Sequence, residues 1–306
     1  MTSTGPTRGE KLAATLAAVT LGASPLGKKP ELGDDLADAL LSSPFRQIDT
    51  SNNYGKGRSE TLLGEAIARR GGLPLGTVIF SKVDSDPETG AFTADRVVRS
   101  FDETRERLGL DTLPLLHFHD PYDLTVSEAM APGGPVEALI GLRDQGVVGA
   151  IGIAAGQSSL MEEYVRTDAF DAVLNHNRWT LVDRSADTLW NLATERGMAV
   201  FNAAPFGGGI IAGSTTRGAK YAYTEASNEL LSYIERMRVV ASEWKVDLAA
   251  AALQFSLAEP RIHSTVVGMS SPARVEALPD LVEADIPAEF WQALGALGTP
   301  PASPTD

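Results

Sequence analysis

The chain has 306 residues and a formal net charge of −14, with 43% hydrophobic and 22% charged residues. This length suffices for one large α/β barrel or two ordinary domains, and the acidic balance disfavours a nucleic-acid or anionic-membrane surface, because both need clustered Lys and Arg. The chain has no cysteine, which excludes disulfides, thiolate metal sites and a cysteine nucleophile. With four histidines in the whole chain, we expect no metal site.

The N-terminal segment RGEKLAATLAAVTLGAS has early positive charge followed by an apolar run of the length found in secretory leaders. Glu10 lies within its charged part, and Thr15 and Thr20 interrupt the apolar run. A first barrel strand at 18–22 explains the segment without a leader, so we expect a cytoplasmic protein. No segment is long and apolar enough to cross a bilayer.

Short β-rich runs alternate with amphipathic helical patterns along the rest of the chain. The predicted strands lie at 18–22, 45–49, 77–82, 113–119, 147–153, 170–176, 198–203 and 262–268, and the clearest predicted helices at 59–70, 93–109, 135–146, 185–197 and 228–244. Strands that alternate with helices imply parallel pairing and right-handed crossovers. The sequence therefore predicts a single α/β domain over 1–306, a closed (β/α)8 or TIM barrel. A doubly wound sheet is the alternative, but LGASPLGKK lacks its glycine spacing.

The connection between the seventh and eighth predicted strands is much longer than the others. It begins with the glycine run FGGGIIAG at 206–213, a place where barrels often bind phosphate. We expect a mobile loop at 214–227 and two helices after it. The Pro-rich tail at 298–306 is predicted to be disordered.

Four ionisable side chains follow three neighbouring strands, at the strand ends where barrels carry their functional residues. Asp49 ends the second strand and Tyr54 lies in the loop behind it, while Lys82 ends the third strand and His119 the fourth. Each has an ordinary explanation on its own, such as a turn cap for Asp49. His117 has the same alternation as His119 and is its rival. Together the four indicate acid–base chemistry at one mouth.

The chemistry of this group is coherent. A free tyrosine has a pKa of about 10, and an ammonium group beside Tyr54 would lower it. Lys82 can supply that ammonium, and Asp49 can supply its counter-charge. His119 can hydrogen-bond a substrate oxygen and orient it. We therefore expect Tyr54 to act as a tunable proton donor beside a carbonyl group.

These residues resemble the aldo-keto reductase superfamily. DTSNNYGKGRSETLLGEAI is similar to its motif D-x-x-x-x-Y-G-x-x-E-x-x-x-G, FSKVD matches the segment that carries its lysine, and LLHFHDP resembles the form found in its sugar (aldose/fucose-type) and pyridoxal dehydrogenase branch. The likeness covers nearly the whole chain. It implies a (β/α)8 barrel that uses NADP(H) or NAD(H) without a Rossmann domain. It also implies Tyr54 as general acid/base, tuned by Lys82 and Asp49, with His119 orienting the carbonyl or hydroxyl group, while the nicotinamide transfers hydride.

The same resemblance assigns the nicotinamide site less directly, because familiar side chains are replaced. The family's Ser-Asn pair for the carboxamide falls on Ala154 and Ala155, so backbone groups or Asn175 and His176 must serve instead. The sequence leaves open which of Asn175 and His176 aligns with the family's Gln.

The family's ring-stacking aromatic falls on Ala203, and Trp179 or Phe206 is the expected substitute. The pyrophosphate is expected along 206–213, where glycines let the backbone approach closely. The expected cofactor-binding residues are Asn175, His176, Pro205, Phe206, Gly207, Gly208, Gly209, Gly268, Ser270, Ser271 and Arg274.

The segment GMSSPARVEAL after the last strand matches the family's adenosine-phosphate segment. Ser270 stands where a Lys or Arg often binds the 2′-phosphate, which leaves Ser271 and Arg274. An arginine suits a phosphate, although Arg274 is nearly as well explained as a solvated residue in the first turn of a helix. We expect a slight preference for NADP(H), with NAD(H) as the alternative.

The leading function is oxidation of a sugar hydroxyl or reduction of an aldehyde with a nicotinamide cofactor. One alternative is an aldolase or lyase in which Lys82 forms a Schiff base, and another is a cofactor-binding regulatory subunit without turnover. The expected partner is a small carbonyl or sugar substrate, bound by Asn53, Asp120 and Trp179 from the loops. The sequence does not indicate the oligomeric state.

Overall fold

The computed structural model describes residues 5–28, 32–214 and 218–304. Its strands are β1 (Val19–Gly22), β2 (Gln47–Asp49), β3 (Val78–Val83), β4 (Leu113–His119), β5 (Val148–Ala155), β6 (Ala172–His176), β7 (Ala199–Ala203), β8 (Lys220–Tyr221), β9 (Thr224–Glu225) and β10 (Ser264–Gly268). Eight of them form a closed parallel barrel in the order β1-β10-β7-β6-β5-β4-β3-β2. The predicted (β/α)8 fold is confirmed, and each predicted strand overlaps a barrel strand.

Helices connect the strands and surround the barrel. They are α1 (Arg8–Ala13), α2 (Gly33–Ser42), α3 (Arg58–Arg69), α4 (Ala94–Leu108), α5 (Val126–Ala129), α6 (Pro135–Asp144), α7 (Ser158–Val165), α8 (Asp187–Glu195), α9 (Asn228–Trp244), α10 (Leu248–Leu257), α11 (Pro272–Glu276), α12 (Leu278–Glu283) and α13 (Ala288–Gly295). Helix α4 shows how local sequence sets their ends: Thr93 accepts a hydrogen bond from the amide of Arg96, and Gly109 closes the helix with a φ of 66°.

The leader-like N-terminal segment forms α1 and β1. A capping box between Thr7 and Glu10 begins α1, and Leu12 packs into the cluster of barrel-interior residues. Because Gly9 lies against the backbone of Gly197 just before β7, α1 covers the N-terminal end of the barrel. No helix within the described ranges could span a membrane, and the cytoplasmic location stays a prediction.

The barrel interior is packed below its C-terminal rim. Its lower positions hold Phe80, Leu115, Phe201 and Val266, each buried, and the rings of Phe80 and Phe201 meet edge to face at 5.7 Å. Functional side chains therefore have room only at the C-terminal ends of the strands, as in other barrels of this kind.

The rim itself has two unlike halves. Alternation along the strands directs Asp49, Lys82 and His119 inward from β2, β3 and β4. On the opposite half, the inward positions at the ends of β5, β6, β7 and β10 hold Ala154, His176, Ala203 and Gly268. One half of the rim thus carries ionisable side chains and is called the ionisable half. The other, the small half, carries small residues except for the imidazole of His176.

The connection from β7 to β10 contains a hairpin where a mobile loop was expected. Strands β8 and β9 pair within the predicted loop, whose residues 215–217 lie outside the described residues. The phenol of Tyr221 anchors the hairpin: it donates to the carbonyl of Asn177 at 2.7 Å and lies 2.9 Å from the Thr180 hydroxyl. The two helices predicted after this segment are α9 and α10.

The tail also differs from the prediction of disorder, as far as Pro304. Tyr233 donates to the carbonyl of Gly298 at 2.8 Å, and the Ser303 hydroxyl donates to the carboxylate of Asp183. These side-chain partners, which composition cannot reveal, hold 298–304 against α9 and the segment after β6. Residues 305–306 lie outside the described residues.

Candidate active site

Four predicted residues meet at the ionisable half of the rim, and Lys82 is at their centre. Its ammonium lies 2.8 and 2.7 Å from the two carboxylate oxygens of Asp49 and donates to the carbonyl of Thr50 at 2.7 Å. It also donates to the phenol oxygen of Tyr54 at 3.1 Å. Lys82 is 1% exposed and Asp49 4%, so this is a buried ion pair with the phenol as its outward contact.

The β2–α3 loop holds Tyr54 in place through a tight turn and a buried network. Gly55, Lys56 and Gly57 all have left-handed backbones, with φ of 60°, 57° and 85°, a conformation that glycine adopts readily. Asn52 is fixed from α4: Arg96 donates to its side-chain oxygen at 2.8 Å, and Arg107 donates to its carbonyl at 3.0 Å.

The pKa of Tyr54 shifts opposite to the expectation. Burial raises it well above the ordinary value of a phenol. The negative charges of Asp49, Asp84 and Asp120 raise it further. Burial and these carboxylates outweigh the hydrogen bond from Lys82, whose charge Asp49 neutralises at 2.7 Å. Tyr54 is therefore protonated at neutral pH, and the prediction of a lowered pKa is wrong.

The two strand-end histidines lie in different surroundings. His119 is at the rim, where its ring meets that of Tyr54 edge to face at 5.7 Å. His117 is fully buried in the barrel beneath, against Phe201 at 5.8 Å, and burial with the charge of Lys82 holds its pKa well below the ordinary value. His119 is therefore the histidine at the rim, and its role towards a substrate stays a prediction.

Asp84 is a site residue that sequence reasoning missed. Its Oδ1 lies 2.6 Å from Nδ1 of His119, and its Oδ2 accepts from the Ser51 hydroxyl at 2.5 Å and from the amide of Asn53 at 2.9 Å. Burial alone would raise the pKa of Asp84, but His119, Ser51 and Asn53 outweigh burial and lower it. The signal was available, since Asp84 lies two residues after Lys82 and on the same strand end.

The structure separates Asn175 from His176. Asn175 is fully buried, and its amide donates to the carbonyls of Ala155 and Gly156 at 3.0 and 3.1 Å. His176 is half-buried at the inward position, with Nδ1 2.9 Å from the side-chain nitrogen of Asn177. His176 therefore faces the mouth, whereas Asn175 supports the backbone behind it.

Trp179 does not lie in the mouth, in contrast to the expectation. It is 7% exposed and stacks on Phe255 at 5.9 Å, and the guanidinium of Arg261 lies 5.1 Å from its ring centre. A ring enclosed in this way has no free face for a sugar or a nicotinamide. The loop after β6 turns Trp179 towards α10, and this direction depends on tertiary contacts that have no local sequence signal.

A tyrosine from the hairpin lies at the mouth instead. Tyr223, at the hairpin turn, is 68% exposed and meets the ring of His176 edge to face at 5.8 Å. It therefore lies beside His176, on the half of the rim that carries small residues. Phe206, the other expected aromatic, is partly buried against the hydrophobic core.

The glycine run forms a 3-10 turn at Gly207–Gly209 after the buried Pro205. The φ values of Gly207, Gly208 and Gly209 are 58°, 75° and 103°. A Cβ on Gly207 would lie 2.4 Å from the ring of Tyr221. The absence of side chains in this turn thus lets the hairpin pack against it. The same absence would let the backbone approach a ligand closely.

The remaining predicted positions lie in two places. Gly268 ends β10 with open space around its Cα, Ser270 and Ser271 follow it half-buried, and Arg274 is exposed in α11. Asn53 and Asp120 lie at the ionisable half, where Asp120 Oδ2 is 3.6 Å from Nε2 of His119.

Comparisons with known proteins agree with this geometry. The profile of the Aldo/keto reductase family matches residues 18–298. The chain belongs to the aldo/keto reductase family. Its relatives include a pyridoxal 4-dehydrogenase of Microbacterium luteolum, 31% identical over 93% of this chain and 94% of that protein. They also include a D-threo-aldose 1-dehydrogenase of a Pseudomonas species, 31% identical over 86% and 88%, and an L-galactose dehydrogenase of Arabidopsis thaliana, 30% identical over 85% and 82%.

A solved structure supports the fold. The aldo-keto reductase AKR11C1 from Bacillus halodurans, in its holo form, superposes with a TM-score of 0.72 at 21% identity, over 92% of each chain. Membership of the family makes this aldo-keto reductase an NAD(P)-dependent oxidoreductase, and the predicted branch of sugar and pyridoxal dehydrogenases is confirmed by the relatives.

Proposed function

We propose that this aldo-keto reductase interconverts a sugar or alcohol hydroxyl and a carbonyl group with Tyr54 as the general acid/base. The contact that carries the proposal is the 3.1 Å hydrogen bond from the Lys82 ammonium to the Tyr54 phenol, behind which Asp49 neutralises the lysine. A phenol that is protonated at neutral pH can donate its proton to a carbonyl oxygen. The lysine hydrogen bond then stabilises the phenolate that remains.

The small half of the rim fits a nicotinamide ring. Ala154 and Ala203 are small inward residues at the ends of β5 and β7, and a Cβ on Gly268 would meet no atom within 4 Å. A bound nicotinamide supplies the hydride donor or acceptor. His176 would hold the carboxamide and Tyr223 would cover the ring.

The rest of a dinucleotide would follow the rim outward. The backbone of the turn at Gly207–Gly209 suits a pyrophosphate, and Ser270, Ser271 and Arg274 lie beyond β10 for the adenosine end. The exposed guanidinium of Arg274 supports a slight preference for NADP(H) over NAD(H). Separate fluorescence titrations with NADPH and NADH measure that preference directly.

The substrate is proposed to be a small hydroxylated carbonyl compound. Relatives named for pyridoxal, aldoses and L-galactose support this class, and Asn53 and Asp120 offer hydrogen-bonding groups beside His119. An aldehyde and sugar panel, assayed in both directions, would identify the preferred member.

The test of the function is Tyr54→Phe, which removes one hydroxyl. We expect kcat to fall by about 10²- to 10⁴-fold, the usual contribution of a positioned general acid, while the Kd for NADPH changes little. A variant that turns over like the wild type would contradict the proposal.

The two alternatives gain no support. A Schiff-base lysine must present an unprotonated amine to a carbonyl, whereas Lys82 is buried with its protons directed at Asp49, Thr50 and Tyr54. A non-catalytic subunit does not require Asp, Tyr, Lys and His side chains that contact one another. Borohydride trapping of a carbonyl substrate on Lys82 would support the aldolase or lyase. Absence of turnover across the aldehyde and sugar panel would support the regulatory subunit.

A further inference from the structure

We propose that Asp84 is a positioning residue that holds His119 as an imidazolium, so that a charged donor faces the substrate oxygen. The catalytic use of this charge rests on the proposed function, but the charge itself does not. The observation is that both ring nitrogens of His119 face carboxylates: Nδ1 lies 2.6 Å from Asp84 Oδ1, and Nε2 lies 3.6 Å from Asp120 Oδ2.

The Asp84 contact fixes the proton on Nδ1. A separation of 2.6 Å between nitrogen and a carboxylate oxygen is that of a strong charge-assisted hydrogen bond, and the carboxylate can only accept. Asp84 is 5% exposed and receives two further hydrogen bonds, from Ser51 and from the amide of Asn53. It is therefore a fixed anion and not a mobile surface group.

The second carboxylate decides the state of Nε2. With Nδ1 protonated, a neutral ring would turn the lone pair of Nε2 towards the negative Asp120, which is repulsive. A proton on Nε2 converts this repulsion into attraction. The backbone holds Asp120 there: its φ is 45°, and its amide donates to the carbonyl of Ala154 at 2.9 Å.

Other charged groups around His119 do not reverse this balance. Lys82 on β3 opposes the imidazolium, but Asp49 on β2 neutralises it at 2.7 Å. Tyr54 presents a protonated phenol from its loop, and His117 beneath is neutral. Burial alone would lower the pKa of His119, yet Asp84 and Asp120 outweigh burial and raise it.

An imidazolium changes what the site can do. A charged donor stabilises the oxyanion-like oxygen of a carbonyl under reduction more strongly than a neutral one. Tyr54 then delivers the proton while Nε2 of His119 polarises the oxygen. We expect kcat/KM for reduction to fall as pH rises through the pKa of His119, because the charged donor is lost.

The experiment is an NMR titration of the histidine rings by long-range ¹H–¹⁵N correlation in the protein without cofactor or substrate, with His119→Gln to assign the signal. In the wild type, His119 should titrate above its ordinary value of 6.5. Asp84→Asn should lower that pKa by about one unit or more, and Asp84→Glu should restore part of it. The matched control is Asp86→Asn, since Asp86 caps the turn at Glu88 and Thr89 and does not touch His119.

The outcome that overturns the proposal is a wild-type His119 that titrates at or below 6.5, or an Asp84→Asn protein with a native spectrum and an unchanged His119 pKa. If Asp84→Asn does not fold, Asp120→Asn serves, because Asp120 is exposed; it should lower the pKa by a smaller amount, and no change overturns the proposal. The titration needs no turnover, so it stands apart from the Tyr54→Phe assay.

Discussion

At the scale of single residues, the buried ion pair beneath Tyr54 carries a large desolvation cost. Taking Lys82 and Asp49 out of water is unfavourable, and only their close pairing offsets it. Lys82 and Asp49 therefore contribute to both stability and the proposed catalysis. Substitutions can separate these two contributions.

Lys82→Met should destabilise the protein by about 3–5 kcal/mol, because it leaves the Asp49 carboxylate buried without a counter-charge. The double variant Asp49→Leu/Lys82→Met should recover much of that loss and remain inactive. Urea unfolding and turnover of the three proteins measure both effects. Equal stability of the single and double variants would contradict the explanation.

The Asp84–His119 pair predicts how stability depends on pH. Because folding raises the pKa of His119 above 6.5, its stabilisation is complete below that value and is lost as pH rises through the raised pKa. The wild type should therefore lose more free energy of unfolding than His119→Gln as pH rises from about 6 through the raised pKa of His119. Parallel urea-derived curves for the two proteins would show that the pair is not linked to folding.

Some residues of the family motif after β2 serve contacts between helices and strands and not catalysis. Glu60 in α3 is fully buried, where it accepts from Ser81 of β3 and Thr104 of α4 at 2.6 and 2.8 Å. A Cβ on Gly64 would lie 1.8 Å from the carbonyl oxygen of Arg107. These two residues hold α3 against its neighbours, and so hold the loop of Tyr54.

The hairpin depends on Gly207. Gly207→Ala would place a Cβ 2.4 Å from the Tyr221 ring, and we expect a loss of about 1–3 kcal/mol from overpacking. Gly213→Ala is the matched control, since its φ of 74° is equally left-handed but no atom lies within 4 Å of the added Cβ. Thermal unfolding should separate the two variants, and equal melting temperatures would mean that the contact is unimportant.

Tyr223 at the turn of the hairpin should contribute to cofactor affinity. An aromatic contact of this kind is worth about 0.5–1.5 kcal/mol, so Tyr223→Ala should raise the Kd for NADPH by roughly 2- to 12-fold. Thr224→Ala, one residue along the same exposed hairpin, should leave it unchanged. Fluorescence titration measures both, and an unaltered Kd for Tyr223→Ala would remove this residue from the site.

At the scale of the whole molecule, the features that could be predicted from the sequence are those that the periodicity of the strands determines. Parallel strands bring their carboxyl ends to one rim, so the meeting of Asp49, Lys82 and His119 followed from the strand assignments alone. Side chains alternate between the two faces of a strand, and Leu174 lies inside the barrel. The same alternation would have placed His176 inward as well. The direction of the loop after β6, which buries Trp179, and the partners of the tail depend on tertiary contacts that have no local signal.

The packed interior beneath the rim has a kinetic consequence. Within the described residues, α1 and the layer of Phe80, Leu115 and Phe201 close the barrel from below, so ligands of the rim can enter and leave only from its C-terminal side. A cofactor and a substrate that both bind at this rim therefore share one side of entry. The deeper one has to arrive first and depart last, which gives a compulsory order that product-inhibition patterns reveal.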